Sequence, residues 1–587
     1  MKFPATTRLL QFLCALCVLC GSGFALDREA FSITNYDLNL QLDPTQHRMG
    51  VRGKIILRND SSAPQKVAVL QVSSSLDWRS IKAAGKPLQF VVQAYTSDID
   101  HTGALSEAIV TLPQEVAPHA TIDIDIAYEG VILLDATRLT RIGTPDDAAQ
   151  SSDWDQISQN FTAVRGAGYV AWYPIATDVA NLSEGNSLFE VLARWKMREA
   201  GSKIKVSFLE LNKDEPTQDP GSADESAPSK LLCSGNAIHG ETREGTAKSP
   251  WAQCEYDDLS QAAPSFVIAS YGIVNRPSIT VYNFPTHAVA AEAYASAAEK
   301  VAPFITDWFG PARANATTAD LPDPYAAPFE SGTLLLTPLA NKDSKLAGLE
   351  AVHQLTHAAF SSPRPWINEG LAHFTQALYL EHEKNRQAAL DYMGLHRSAF
   401  STLEQPATVP RSEDEVNHSL INTTSEEIYR SKAMCVWWML RDMIGDAALK
   451  KAIAAYKPEL DKEPSYMQRL ISAQTQRDLE WFFDDWVYRD RGLPDFTVEA
   501  ASPRKTPTET FLTAVTVANL GTAGAEVPVT VKFASGEVVK RIEVRAKSQN
   551  TIRIETPAAP TEVIVNDGSV PESDLTNNVF KVEAPQK

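Results

Sequence analysis

Residues 349–380 read LEAVHQLTHAAFSSPRPWINEGLAHFTQALYL, and this stretch is the most informative in the chain. His353 and His357 are four residues apart, so in a helix both imidazoles lie on one face and can bind one ion. The two prolines of the SSPRP segment end that helix and let a second helix return beside it. Glu369, near the start of the second helix, would complete a site of two histidines and one glutamate with an open position, which is the arrangement of a catalytic zinc.

The histidines of this stretch could also be ordinary core or surface residues. Two histidines at helical spacing are by themselves more often ordinary core or surface residues than ligands. The carboxylate of Glu369, within a Trp-Ile-Asn-Glu-Gly turn, favours a metal site over that alternative. His373 lies four residues after Glu369 and could hold a ligand in place. For both His373 and His382, however, an exposed position on the second helix is the simpler interpretation.

Outward from this stretch, the hydrophobic pattern changes twice along the chain. Apolar residues alternate with polar ones at Tyr36–Leu42 and again at Ile122–Tyr128, which is typical of half-buried strands. Long helical stretches follow from residue 288 to about residue 489, including one at 426–456 that Gly445 is expected to break. Strand-like alternation then returns to the end of the chain and is typical of a small β-sandwich.

We therefore expect a multidomain α+β protein. The predicted parts are a signal peptide at 1–25, an N-terminal antiparallel β-domain at 26–275, a helical zinc domain at 276–495 and a C-terminal β-sandwich at 496–587.

The first 25 residues are typical of a secretory signal peptide. Lys2 and Arg8 form its positive region, Leu9–Leu19 its apolar region, and Gly23-Phe24-Ala25 a small-x-small cleavage site. The apolar run is short for a helix that spans a bilayer, which takes about 20 residues. We expect an exported protein (periplasmic, extracellular or on the cell surface) that is membrane-attached only if this segment is uncleaved.

Cleavage there would leave three cysteines in the chain. Cys233 and Cys254 could form a disulfide, because export permits one, although two free thiols suit the fold equally well. Cys435 lies in a helical stretch, and we interpret it as a buried apolar residue.

The charge of the chain excludes one class of partner. Among 587 residues there are 73 acidic and 54 basic ones, for a net charge of −19. Such a field repels the phosphates of nucleic acids and of anionic membranes, so we expect no nucleic-acid partner.

Taken together, these segments resemble the gluzincin metallopeptidases, and specifically the aminopeptidase-N (membrane alanyl aminopeptidase) type. The signature of that family is H-E-x-x-H, a spacer, and a zinc-binding glutamate in a W-L-N-E-G-F-A context. Further segments are similar to the family and occur in the right order: YDLNLQLDP at 36–44, AWYP at 171–174, PSFVIASYG at 264–272, IYRSKAMCVWWMLR at 428–441 and DLEWFFDDWVYRDRGLP at 478–494.

The resemblance implies a thermolysin-like helical domain and a role for each site residue. Zinc would be the cofactor, bound by His353, His357 and Glu369, and a peptide or protein would be the substrate or ligand. Tyr429 would donate its hydroxyl to the oxyanion of the tetrahedral intermediate, unless it is an ordinary packed aromatic. Glu330 lies roughly where the family keeps the glutamate that binds the α-amine of the substrate, although little else of that motif matches.

The sequence departs from the family pattern at two places. The spacer of 11 residues between His357 and Glu369 is shorter than in most of the family, which shortens a loop and leaves the ligands in place. The second departure concerns catalysis, because position 354, where the family has its catalytic glutamate, is Gln354. In the family mechanism that glutamate takes a proton from zinc-bound water, and a glutamine amide cannot accept it.

Loss of a general base costs on the order of 10²–10⁴ in rate. We therefore expect weak or absent turnover, and a Gln354→Glu variant at least ~10²-fold faster. Glu350, three residues before His353, is an alternative base, but on the family pattern its position does not reach the water.

Three functions remain open at this stage. The protein could be a working aminopeptidase-like zinc metallopeptidase, a catalytically silent protein (a pseudoenzyme) that binds zinc or peptide, or an interaction protein whose β-domains act while the site is vestigial. The zinc ligands are intact although the catalytic glutamate is replaced by Gln354. Because a vestigial site would be free to lose its histidines, this favours the first two functions over the third. The resemblance predicts a hydrolase, and Gln354 predicts that its turnover is weak or absent.

Overall fold

The computed structural model describes residues 26–185, 187–209, 229–244, 247–257, 263–340, 343–400 and 418–582. The predicted signal peptide at 1–25 lies outside these residues, and export stays a prediction. Within the described ranges, no helix combines the length and apolar character needed to cross a membrane.

The N-terminal region consists of sheets whose strands alternate buried and exposed side chains. Its strands are β1 (Phe31–Asp43), β2 (Arg48–Asn59), β3 (Gln65–Ser73), β4 (Leu76–Ala83), β5 (Lys86–Pro87), β6 (Gln89–Thr96), β7 (Ala104–Val116), β8 (Thr121–Val131), β9 (Phe161–Val164), β10 (Lys203–Leu209), β11 (Lys230–Cys233), β12 (Asn236–Glu244), β13 (Ala247–Tyr256) and β14 (Phe266–Ala269). They form an eight-stranded sheet in the order β12-β13-β10-β1-β2-β8-β4-β5 and two three-stranded sheets, β3-β7-β6 and β11-β14-β9. Leu38 and Leu40 of β1 are fully buried, as the alternating pattern predicts.

Three helices also belong to this region, α1 (Thr137–Arg141), α2 (Asp146–Ser152) and α3 (Ser187–Arg198). The sequence pattern predicts only an antiparallel β-domain at 26–275, and the 12-residue helix α3 is therefore a correction to it. Leu188, Val191 and Trp195 of α3 are buried, so the helix does carry an apolar stripe with helical spacing.

The two sulfur atoms of Cys233, on β11, and Cys254, on β13, are joined in a disulfide, with their Cα atoms 6.4 Å apart. Cys435 is a free, buried thiol in the helical region.

The middle of the chain packs helices around a five-stranded sheet. The strands are β15 (Gly272–Arg276), β16 (Ile279–Asn283), β17 (Ala316–Asp320), β18 (Phe329–Ser331) and β19 (Leu334–Thr337), in the order β15-β16-β17-β19-β18. The helices are α4 (Ala288–Phe309), α5 (Ser344–Ala359), α6 (Pro365–Glu383), α7 (Arg386–Gly394), α8 (Ala433–Ile444), α9 (Asp446–Ala455), α10 (Tyr466–Ser472) and α11 (Glu480–Phe483). Gly445 has a φ of 82° and separates α8 from α9, so the predicted break is confirmed. The predicted domain boundary at residue 276 falls at the end of β15.

The C-terminal region forms two facing sheets. Its strands are β20 (Phe496–Lys505), β21 (Phe511–Asn519), β22 (Ala525–Phe533), β23 (Gly536–Val544), β24 (Ser548–Thr556), β25 (Pro560–Val565) and β26 (Val579–Lys581). They are ordered β20-β21-β24 and β23-β22-β25-β26. Val527, Val529 and Val531 of β22 are fully buried in an apolar core that continues into the helical region. The predicted multidomain α+β fold, β-rich, then helical, then β-rich, is confirmed.

Candidate metal centre

The helix pair α5 and α6 brings the predicted ligands together. His353 and His357 lie one turn apart on α5, and their Nε2 atoms are 3.1 Å apart. Helix α5 ends at Ala359, and Pro365 occupies the first turn of α6, where its fixed φ suits a helix start. Glu369 follows one turn later on α6. Its Oε1 lies 3.5 Å from Nε2 of His357, and its Oε2 lies 3.7 Å from Nε2 of His353.

Glu330, on β18, joins the same cluster. Its Oε2 lies 3.1 Å from Nε2 of His353. One ligand atom from each of Glu330, His353 and His357 lies within 4.8 Å of the others. The second oxygen of Glu330, Oε1, is buried and has no hydrogen-bond partner within the described part of the chain.

These donors and their separations suit a zinc ion. Imidazole nitrogens and carboxylate oxygens are ligands that zinc prefers, at bonds of about 2.0–2.1 Å. A tetrahedron with such bonds has edges of about 3.3 Å. The distances of 3.1 Å between the two Nε2 atoms, and of 3.1 Å between Oε2 of Glu330 and Nε2 of His353, are close to that edge. The two oxygens of Glu369 lie slightly farther, at 3.5 Å from His357 and 3.7 Å from His353.

Charge within the cluster favours an ionised carboxylate. Burial alone would raise the pKa of Glu369, but the adjacent His357, His353 and Arg430 hold that pKa at about 2. Burial lowers the pKa of His353, and the Glu330 and Glu369 carboxylates more than reverse this, so its pKa is raised. The carboxylate of Glu369 is therefore ready to bind a cation without first losing a proton.

Asn368 orients one of the imidazoles. Its Nδ2 lies 3.2 Å from Nδ1 of His357, while its Oδ1 accepts a hydrogen bond of 3.1 Å from the backbone N–H of Ser362. This contact holds the His357 ring with Nε2 towards the cluster. Because an amide Nδ2 only donates, it differs from the usual outer partner, which accepts a hydrogen bond from the second nitrogen of a metal-binding histidine. The sequence interpretation missed this role, although Asn368 directly precedes Glu369.

Gln354, predicted to occupy the position of the catalytic base, is fully buried. Its Nε2 donates hydrogen bonds to the carbonyl oxygens of Thr317, at 2.8 Å, and Thr333, at 3.4 Å. Its Oε1 accepts hydrogen bonds from the hydroxyls of Thr318, at 2.8 Å, and Tyr294, at 3.4 Å. Both ends of the amide are therefore bonded to β17, to the turn before β19 and to α4, and they hold α5 on the sheet.

Glu350, the disfavoured alternative base, interacts electrostatically with Tyr294. Burial raises the pKa of Tyr294, and the Glu350 carboxylate adds to this effect.

Tyr429 and Arg430 approach the cluster from a π-helical turn, Ile428–Lys432. Burial raises the pKa of the Tyr429 hydroxyl, with further contributions from the carboxylates of Glu426 and Glu369, so the hydroxyl keeps its proton and can donate it in a hydrogen bond. The Nε atom of Arg430 lies 3.5 Å from Oε2 of Glu369, and its Nη1 lies 3.0 Å from Oε2 of Glu426. Arg430 was not predicted, although it directly follows Tyr429.

Two more histidines extend this cluster, with His373 packed against His353 and His396 packed against His373. The ring of His373 packs against the ring of His353, with centroids 5.0 Å apart, and against His396 at 5.6 Å. The predicted exposed position is therefore wrong for His373, which is half-buried next to His353. His382 is exposed, as predicted.

A basic side chain of the N-terminal region, Lys196 on α3, interacts electrostatically with Glu369. Burial lowers the pKa of the Lys196 ammonium, while the carboxylates of Glu426 and Glu369 act in the opposite direction. The unpredicted helix therefore carries a basic side chain within electrostatic reach of the Glu369 carboxylate.

A cavity of about 450 Å³ lies elsewhere in the helical region, between α4, α6 and α9. It is lined by Phe304, Trp308, Tyr379, Glu381 and Arg441, among others, and by none of the four cluster residues.

Gly370 allows α6 to approach α8 closely. A Cβ at this position would lie 2.6 Å from Cβ of Ala433 and 3.0 Å from Nε1 of Trp437, so α6 would have to move and carry Glu369 with it. We expect Gly370→Ala to lower the free energy of unfolding by about 1–3 kcal/mol, measured by urea denaturation. Gly348→Ala is the control, because a Cβ there meets nothing within 4 Å. It should be neutral or stabilise by up to about 1 kcal/mol. Equal stability of the two variants would contradict this account of the helix contact.

No family model matches the sequence, and no curated protein matches it. Among solved structures, the chain is similar to mutant forms of M1 zinc metallopeptidases. One, from Deinococcus radiodurans, is 15% identical and covers 79% of this chain and 96% of that chain, with a TM-score of 0.45. Two others have the same coverage, 14% identity and a TM-score of 0.44: a two-domain M1 zinc metallopeptidase bound to L-tryptophan, and the Deinococcus radiodurans protein bound to a Tyr-Ser-Ala substrate.

Proposed function

We propose that this chain is an exported zinc protein of the metallopeptidase type, in which His353, His357 and Glu369 bind the metal and peptide hydrolysis is weak or absent. The observation that carries the proposal is the convergence of two imidazole nitrogens, 3.1 Å apart, with a carboxylate whose two oxygens lie 3.5 and 3.7 Å from them, because these are the donor types that zinc prefers.

Zinc, when bound, supplies Lewis-acid chemistry. The side chains of this protein can supply a hydrogen-bond donor and a positive charge, but they do not supply a general base. Tyr429 keeps its proton and can donate a hydrogen bond near Glu369, and Arg430 adds a positive charge on the same side. Proton transfer is the missing task, because the amide of Gln354 has no basic site and its polar atoms are already bonded to the sheet. The proposed site therefore binds a metal but has no working general base.

The proposal of export rests on the signal-like sequence at 1–25. The Cys233–Cys254 disulfide supports it, because disulfides persist in oxidising compartments.

Metal content and turnover, measured on one preparation, test the proposal. The protein from residue 26 onward is freed of metal, reloaded with one equivalent of zinc, and assayed on a panel of fluorogenic aminoacyl and internally quenched peptides. We expect one bound zinc per chain and hydrolysis no faster than that of the metal-free protein. Zinc-dependent hydrolysis that His357→Ala abolishes would support a working peptidase instead. Failure to bind zinc would leave the β-rich regions as the site of function.

A further inference from the structure

Glu330 is held rigidly beside the histidines. It is the middle residue of β18, and its backbone pairs with Leu335 of β19. On one side of it, the Phe329 ring packs edge-on against Tyr169, with centroids 5.4 Å apart. On the other side, the hydroxyl of Ser331 donates a hydrogen bond of 3.1 Å to the carbonyl oxygen of Ala263. The carboxylate of Glu330 therefore projects from a strand that is fixed at both neighbouring positions.

This carboxylate is closer to His353 than the predicted ligand Glu369 is. Oε2 of Glu330 lies 3.1 Å from Nε2 of His353, compared with 3.7 Å for Oε2 of Glu369. Its other oxygen is buried without a hydrogen-bond partner in the described part of the chain. An unsatisfied buried polar atom costs about 1–3 kcal/mol, so this arrangement is unfavourable unless a cation balances the carboxylate.

We infer that Glu330 is the fourth protein ligand of the metal, so that the site is closed. This inference rests on the proposed function, because it assumes that His353, His357 and Glu369 bind the metal. Four protein ligands complete the tetrahedron of zinc, as in structural zinc sites, whereas catalytic sites keep one position for water or substrate. A closed site agrees with a glutamine at position 354, since a bound water that needs a base would have no position to occupy.

The inference changes the role that the family resemblance implies for Glu330. A carboxylate that binds the metal is not free to bind the α-amine of a peptide. The loss of both the base and the amine-binding group would leave zinc as a structural or regulatory ion in this fold.

Cobalt substitution tests whether the site is closed, without any assay of activity. Co²⁺ in place of zinc reports its ligands through visible absorption, and azide can bind only where a coordination position is open. We expect excess azide to leave the spectrum of the Co²⁺ wild type unchanged and to shift that of Glu330→Ala. We also expect Glu330→Ala to bind zinc at least ~10-fold more weakly, since even outer partners of ligands contribute 10–100-fold. Glu330→Gln preserves the volume of the side chain and should show the same trend.

Glu350→Ala is the matched control, because it removes a half-buried carboxylate from α5 and should change zinc affinity little. An azide shift in the wild type, or unchanged zinc affinity in Glu330→Ala, would overturn the inference while metal binding itself stands. If the Glu330 variants do not fold, the azide response of the wild type still decides. Wild-type protein that binds neither Co²⁺ nor zinc would instead refute the proposed function.

Discussion

Replacing His357 with alanine is expected to lower the affinity for zinc at least ~10²-fold. Structural zinc sites bind the ion with about 10–16 kcal/mol over four ligands, so one ligand contributes about 3 kcal/mol or more. The Nε2 atom of His357 lies 3.1 Å from that of His353 and 3.5 Å from the Glu369 carboxylate, so its loss removes a donor from the centre of the cluster. Competition titration against a chromophoric zinc chelator measures the change.

Thermal unfolding gives a second readout of the same variant. Zinc at 100 times its dissociation constant stabilises the folded state by about 2.7 kcal/mol, and this zinc-dependent rise in Tm should be lost in His357→Ala. His382→Ala is the control, because that side chain is 62% exposed on α6 and faces none of the ligands. Equal zinc affinity in the two variants would contradict the assignment of His357 as a ligand.

Replacing Gln354 with glutamate is expected to destabilise the fold by about 3 kcal/mol or more at neutral pH and to leave peptide turnover unchanged. The new carboxylate would face the carbonyl oxygens of Thr317 and Thr333, where the amide now donates two hydrogen bonds. A buried charge without a partner carries a cost of this size. This expectation replaces the rate gain drawn from the sequence, because the side chain at this position is bonded to the sheet.

The pH dependence of that variant identifies the cause. Burial raises the pKa of the new carboxyl group, and its protonated form can again donate to one carbonyl oxygen. The stability lost relative to wild type should therefore shrink as the pH falls through that raised pKa. Gln354→Met, which removes the hydrogen bonds without adding charge, should show a loss that does not vary with pH. A Gln354→Glu protein that is stable and at least ~10²-fold faster would show that the side chain turns towards the metal site.

Local spacing explains what the sequence could predict about this site. His353 and His357 share a helix face by their separation alone, and the prolines after Ala359 indicate where the chain reverses to bring Glu369 alongside. Alternating strands and the break at Gly445 are equally local signals. These features require no knowledge of how distant segments pack.

The remaining features depend on tertiary contacts. Glu330 enters the cluster because β18 pairs with β19, and Lys196, on α3 of the N-terminal region, interacts electrostatically with Glu369 across a long separation in sequence. Arg430 lies beside Glu369 only because the π-helical turn at Ile428–Lys432 packs against α6. The direction of the Gln354 side chain is set by β17, which no spacing within α5 reveals.

Anomalous diffraction at the zinc edge, from crystals of the zinc-loaded protein, tests the central claim most directly. The account predicts one strong peak bonded to Nε2 of His353, Nε2 of His357 and the carboxylate of Glu369, at about 2.0–2.2 Å from each donor. A fully loaded protein whose zinc peak lies away from these three side chains would contradict it.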